Sequence, residues 1–173
     1  YDGPRRRSVI EMKERGRRDL AMPLGIAVAD ALATLERWGE LGSGGRPPIV
    51  LVPAPTRARA ARSRGGDPVR RIAESMRGKR EIGSVAGRPV RVCPILRMTR
   101  GVRDSVGLSA ADRVTNVNGH VSLDTTAISS IAGDSDIVLL DDVLTTGATA
   151  AESVRALSLS GIRTTLVLVL AGA

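Results

Sequence analysis

Two adjacent carboxylates, Asp141 and Asp142, are the most informative feature of this 173-residue chain. They follow an apolar run, residues 137–140, and precede a turn rich in hydroxyls and glycine, residues 145–149. Ionised carboxylates accept strong, charge-assisted hydrogen bonds, and two of them can hold two neighbouring hydroxyls. The turn offers backbone N–H groups at the start of a helix, where an anion is favoured. This order suits a ligand with a sugar diol at one end and a phosphate at the other.

A plainer interpretation of the same segment is a strand whose acids and threonines only cap a helix. The turn contains no lysine, so it is not the phosphate loop of nucleoside triphosphatases. Gly147 permits a positive φ and the close approach of a phosphate to the backbone. Adjacent strand residues point to opposite faces, so we expect the chain to curl already at Asp141 and Asp142 if both are to reach one ligand.

Strands that alternate with helices predict an α/β fold with a parallel sheet. Asp67 and Pro68 are typical of an N-cap and a first helical position. We expect one domain, with a helical part over 1–48 and a core over 49–173. The predicted helices span 5–16, 23–38 and 67–78, and a further helix is predicted to begin at 149. The predicted strands span 49–52, 89–97, 120–123, 136–142 and 164–170. Residues 99–107 are predicted to be flexible, and residues 109–114 to form a helical turn.

The segment 137–150 resembles the phosphoribosyl-pyrophosphate (PRPP) signature of type I phosphoribosyltransferases. Residues 52–68, with Val-Pro-Ala-Pro and Arg-Gly-Gly-Asp-Pro, and residues 96–117, with Arg-Val-Thr-Asn-Val, narrow the resemblance. Together they resemble the ComF family, bacterial proteins linked to competence and DNA uptake. The resemblance extends over residues 1–170. It implies a parallel sheet with helices on both faces and a small hood.

The resemblance also implies a role for each loop. Asp141 and Asp142 would bind the ribose. The 5′-phosphate would be bound by Thr145, Thr146, Gly147, Ala148 and Thr149, the pyrophosphate by Ala54, Pro55, Thr56, Arg57 and Arg64, and a mobile loop carrying Arg97, Arg100 and Arg103 would cover the site. A polar loop that contains glycine suits such a lid. Two alternatives stay open: Pro53 and Pro55 as ordinary turn residues, and the arginines as a solvated charge run.

The implied reaction transfers a phosphoribosyl group from PRPP to an acceptor and releases pyrophosphate. Mg²⁺ is the implied cofactor, held mainly through the ligand and water, and no all-protein metal cage is visible in the sequence. In the purine-salvage branch of the superfamily a carboxylate three residues after the second acid assists proton transfer, and here that position is Thr145. Thr145 therefore argues against a 6-oxopurine as the acceptor. The acceptor and the general base are not identified.

The net charge of +8 comes from 26 basic and 18 acidic residues, and arginine dominates the basic ones. Three interpretations compete for the arginine clusters: binding of a polyanionic small ligand, a solvated surface, and binding of nucleic acid. Aromatic residues are almost absent, which argues against stacking platforms for single-stranded nucleic acid. No apolar run approaches the roughly 20 residues of a membrane span, so we expect no membrane partner and a cytoplasmic protein.

Cys93 is the single cysteine, so neither a disulfide nor a cysteine-based zinc site forms within one chain. Its apolar neighbours predict a buried side chain. ComF proteins commonly carry a zinc ribbon, which this member either lacks or carries before Tyr1.

Three functions therefore remain: an active phosphoribosyltransferase, a PRPP- or nucleotide-sensing module without turnover, and a competence accessory that contacts DNA. A second copy of the chain is a candidate partner.

Overall fold

The computed structural model describes residues 3–42, 47–56, 61–62, 65–79, 82–99, 119–131 and 133–172. The helices are α1 (Pro4–Glu14), α2 (Ala21–Arg37), α3 (Pro68–Ser75) and α4 (Ala148–Leu159), with 3-10 helices at Arg18–Leu20 and Thr125–Ser130. The strands are β1 (Ile49–Pro53), β2 (Ser84–Val85), β3 (Arg88–Val92), β4 (Leu96–Met98), β5 (Val121–Leu123), β6 (Asp136–Leu144) and β7 (Leu166–Gly172). The predicted flexible segment 99–107, beyond Thr99, and the predicted turn 109–114 lie outside the described residues.

A five-stranded sheet in the order β2-β3-β1-β6-β7 forms the centre of the fold. β1 pairs in parallel with both β3 and β6, and β6 pairs in parallel with β7. Only the short edge strand β2 is antiparallel to its neighbour. The prediction of an α/β fold with a parallel sheet is therefore confirmed.

Helices cover both faces of this sheet. On one face α1, α2 and α3 pack over β1 and β6, and Val28, Leu32 and Ile72 are almost completely buried there. On the other face α4 and the small β4–β5 sheet pack over the same strands. All five residues of β1 are buried, as expected for a parallel strand that is covered on both sides. None of the described helices is long and apolar enough to cross a membrane.

The prediction of a single strand over 89–97 is wrong. β3 ends at Val92, and β4 begins at Leu96 in a different sheet, antiparallel to β5. Pro94 lies between them, and a proline has no N–H to continue a strand ladder. The last main-chain bond of the large sheet here is from the Cys93 N–H to the Leu51 carbonyl, at 2.9 Å. The side chain of Cys93 is buried, as predicted.

A buried arginine joins α2 to the first residue of β6. Arg88 of β3 is 1% exposed and forms ion pairs with Glu36 of α2 and Asp136 of β6. Its Nε also donates to the carbonyl of Pro47, at 2.7 Å. Removing one member of a buried ion network leaves uncompensated charge, which costs far more than a surface pair contributes. Arg88 therefore fixes α2, the chain before β1, and the start of β6 together.

We expect Arg88→Ala to lower the free energy of unfolding by about 3–5 kcal/mol, because Glu36 and Asp136 lose their shared cation. Urea unfolding followed by circular dichroism measures the loss. Arg91→Ala is the matched control, since Arg91 lies on the same strand but is exposed. A loss at Arg88 no larger than the loss at Arg91 would show that the network does not stabilise the fold.

Candidate functional site

β1 and β6 are parallel neighbours, and the space beyond their carboxyl ends is here called the crevice. The chain leaves β1 through α3 to reach β3 on one side, whereas β6 continues to β7 on the other side. The strand order therefore reverses between β1 and β6, and open α/β sheets bind ligands at such a reversal. β1 ends level with Leu140, where the Ala54 N–H donates to the Leu140 carbonyl at 2.8 Å. Beyond Leu140, β6 pairs only with β7 and borders the crevice.

Asp141 and Asp142 lie at this point, but in a different backbone conformation from the one expected. The sequence predicts that β6 ends at 142 and that the chain curls at the acids; instead the strand continues to Leu144, with Asp141 level with Val169 of β7. The continued pairing with β7 keeps the backbone extended. The carboxylates bond to their own strand: Asp141 Oδ1 accepts from the Asp142 N–H at 2.8 Å, and Asp142 Oδ1 from the Val143 N–H at 2.7 Å.

Two residues that the sequence did not connect with the acids lie beside them. The ammonium of Lys13, on α1, is 2.7 Å from Asp142 Oδ2. Asp67 caps α3 as predicted, since it accepts from the Arg70 N–H at 3.1 Å, and it also accepts from the Thr56 N–H at 3.2 Å. Asp67 therefore ties the loop after β1 to the start of α3.

The carboxylates influence one another electrostatically. Burial, together with the charge of Asp142, raises the pKa of Asp141 to about 6, whereas the hydrogen bond from the Asp142 N–H and the charge of Lys13 oppose the rise. Burial also raises the pKa of Asp67, and the charge of Asp142 adds to that effect. Three carboxyl groups thus share one poorly solvated region with a lysine, so the region favours a ligand that donates hydrogen bonds to acids.

The turn after β6 contains a glycine in the left-handed conformation. Gly147 has a φ of 72° and precedes the first residue of α4, Ala148. The hydroxyl of Thr146 accepts weakly from the Ala148 N–H, at 3.4 Å. Thr145 is exposed, and residues 146–149 are half-buried. The helix start leaves backbone N–H groups without partners inside the helix, and its dipole favours negative charge.

A cavity of about 260 Å³ lies at the carboxyl end of β1. The predicted pyrophosphate residues Ala54, Pro55 and Thr56 line it, together with Arg97 from the predicted lid. The list of lining residues also contains Asp67 and Arg70, which the sequence did not assign to the site. Arg97 pairs with Asp124 at 3.0 Å and Arg70 with Glu74 at 2.7 Å, both in exposed pairs. Exposed pairs contribute little, so an anion in the cavity can compete for both guanidinium groups.

Asp141 and Asp142 do not line this cavity, but Asp67 does, and Asp67 lies close enough to Asp142 for their charges to interact. Arg57, Arg64, Arg100 and Arg103 lie outside the described residues, and their predicted roles stay predictions. Among the described residues, no group of three or more ligating side chains lies close enough together to hold a metal ion.

Comparison with known proteins gives a distant likeness only. No family model and no curated protein matches the chain. A hypoxanthine phosphoribosyltransferase of Trypanosoma cruzi matches at 15% identity and a TM-score of 0.42, over 93% of this chain and 75% of that one. Glutamine and alanine mutants from a study of an invariant aspartic acid in HPRTs match at 16% identity and a TM-score of 0.40, over 93% of this chain and 79% and 78% of theirs.

The raised pKa of Asp141 predicts how stability changes with pH. Its carboxyl releases a proton near pH 4 in the unfolded chain and at about 6 in the folded one, so the folded state binds more protons between these values. The free energy of unfolding therefore falls as the pH rises through this window and stays lower above it. We expect Asp141→Asn, which cannot ionise, to be more stable than the wild type by ~1–3 kcal/mol above the window and equally stable below it.

Urea unfolding of both proteins, below and above this window, measures the effect. Asp134→Asn is the control, because Asp134 is exposed and lies just before the end of β6 that is opposite to the acid pair. An Asn variant at position 141 with the same pH dependence as the wild type would contradict the burial of an ionisable group there.

Proposed function

We propose that this protein binds PRPP at the crevice between β1 and β6 and transfers its phosphoribosyl group to an acceptor. The observation that carries the proposal is the position of Asp141 and Asp142. They stand at the reversal of strand order, one step beyond the end of β1, with a helix start immediately downstream. The acid pair would then bind the diol of the ligand, the turn its 5′-phosphate, and the cavity its pyrophosphate.

Each part of the ligand has a chemical partner in this arrangement. The two carboxylates accept hydrogen bonds from the ribose hydroxyls. The N–H groups around Gly147 and Ala148 donate to the 5′-phosphate, and Arg70 and Arg97 face the pyrophosphate from the cavity wall. Mg²⁺, bound to pyrophosphate oxygens and water, would neutralise the leaving group.

In the proposed reaction the bond between the anomeric carbon of ribose and the pyrophosphate oxygen breaks. The acceptor atom forms a new bond to that carbon and loses a proton, and pyrophosphate leaves with the electron pair. The site lowers the barrier by holding the diol and the phosphate still while positive charge develops on the sugar. Thr145, exposed in the turn, carries no carboxylate to accept the proton, so we propose an acceptor other than a 6-oxopurine.

The net charge of +8 favours a second candidate, a ComF-like accessory that contacts DNA through its arginines. A third candidate keeps the pocket and senses PRPP without turnover. Pyrophosphate release in a screen of bases and amines, with PRPP and Mg²⁺, supports the transferase. Tight binding without release supports the sensor, and DNA affinity that falls steeply with salt supports the accessory.

We expect the double variant Asp141→Asn, Asp142→Asn to lose PRPP binding, by about 100-fold or more, because two charge-assisted hydrogen bonds to the ribose are removed. Isothermal titration calorimetry with PRPP and Mg²⁺ measures the affinity. The control is the double variant Asp30→Asn, Asp134→Asn, which makes the same charge change at two exposed positions. Equal PRPP affinity in the two double variants would refute the assignment of the acid pair to the ribose.

A further inference from the structure

Lys13 reaches the acid pair from the opposite end of the chain. It lies on α1, and its ammonium is 2.7 Å from Asp142 Oδ2. The side chain of Lys13 is 25% exposed and that of Asp142 is 9% exposed, so the pair is only partly accessible to water. Charges that are shielded from water interact more strongly than those of a surface pair.

The packing of α1 fixes this position. Val9 and Met12 are 2% and 5% exposed and belong to the core on that face of the sheet. Lys13 follows Val9 by four residues, so it lies on the same side of the helix, one turn further along. The core contact of Val9 therefore places Lys13 over the end of β6. Arg15, two residues on, is exposed and pairs with Glu11 of its own helix instead.

Three carboxyl groups lie in the region of Lys13. Asp142 is its direct partner, Asp141 precedes Asp142 in β6, and Asp67 enters from the start of α3. Among the described residues, these three carboxyl groups and Lys13 are the charged groups that act on one another here. Asp142 raises the pKa of both other acids, and Lys13 lowers that of Asp141. Among the described residues, Lys13 is the cation that pairs with the acid pair, so its loss would remove the charge that balances two adjacent carboxylates in a buried region.

We propose that Lys13 is a positioning residue of the site, whose ammonium holds the Asp142 carboxylate in place and keeps the acid pair charged for the two sugar hydroxyls. The inference rests on the proposed function, because it assigns Lys13 to the same diol site. It extends the site to the N-terminal helix, which the sequence resemblance did not connect with the ligand. Asp142 Oδ1 is held by the Val143 N–H and Oδ2 by Lys13, so the carboxylate has one fixed orientation.

The role of Lys13 has a consequence for the pH dependence of binding. PRPP binding requires ionised acids, so affinity falls as the pH drops through the pKa of Asp141, about 6. Loss of the lysine charge removes an influence that lowers this pKa, so the pKa rises. The decline in affinity then begins at a higher pH.

The test compares Lys13→Met, Lys13→Arg and the control Arg15→Gln with the wild type. Calorimetry with PRPP and Mg²⁺ gives the affinity over roughly pH 5 to 8, a range that brackets the titration of Asp141. We expect Lys13→Met to bind about tenfold more weakly near neutral pH, and its affinity to start falling at a higher pH than that of the wild type. Lys13→Arg should recover most of the affinity and the pH dependence of the wild type, and Arg15→Gln should match the wild type.

A second measurement needs no ligand. Carbon-detected NMR titration of the Asp141 carboxyl follows its pKa directly in the wild type and in Lys13→Met, and in Lys13→Gln if the Met variant does not fold. A rise in this pKa on loss of Lys13 supports the inference. An unchanged pKa overturns the inference, and so does a Lys13→Met variant that binds PRPP with the affinity and pH dependence of the wild type. A wild type that binds no PRPP would refute the proposed function instead, and the NMR titration would still decide the electrostatic role of Lys13.

Discussion

Two neighbouring carboxylates at the end of a buried strand need compensation, and much of the structure around β6 provides it. Charged groups that leave water require a partner or hydrogen bonds. Asp142 has the ammonium of Lys13 and the Val143 N–H, and Asp141 has the Asp142 N–H. Even so, burial keeps the pKa of Asp141 at about 6. The acids are thus held in a state that hydroxyl donors of a ligand would stabilise further.

The sheet determines where this negative charge is presented. β1 is covered on both faces and stops at Pro53, whereas β6 continues to Leu144 along β7. The difference in length leaves the end of β6 open on the β1 side, where the loop 54–56 and Asp67 complete the crevice. At the other end of the strands, Arg88 binds Glu36 and Asp136 and anchors the start of β6. The start of β6 is therefore held by a buried ion network, whereas the carboxylates of Asp141 and Asp142 lie towards its other end.

The elements governed by local sequence could be predicted. The Asp67-Pro68 pair marks the start of α3, and the apolar run before Asp141 marks β6, because caps and short apolar strands depend on near neighbours. The break between β3 and β4 was missed, although Pro94 signalled it, since an apolar pattern on both sides suggested one strand. The extended conformation of the acid pair was also missed, because pairing with β7 is a long-range contact.

For the site, the sequence identified residues that lie close to one another in the chain and missed those that come from afar. Asp141, Asp142 and Gly147 belong to one motif, whereas Lys13 is separated from Asp142 by most of the chain. Spacing along α1 places Lys13 on the same side as Val9, but it does not show which strand that side will cover. Arg70 in the cavity wall depends in the same way on the packing of α3 against the sheet.

The central claim is that the sugar phosphate binds where β6 ends and α4 begins. Amide chemical-shift mapping with ribose 5-phosphate, the part of PRPP that this region would hold, tests it most directly. We expect saturable shifts at Asp142, Gly147 and Ala148, with the exposed arginines Arg15 and Arg17 unaffected. Shifts confined to exposed arginines such as Arg15 and Arg17, with the amides from Asp142 to Ala148 unchanged, would contradict this claim.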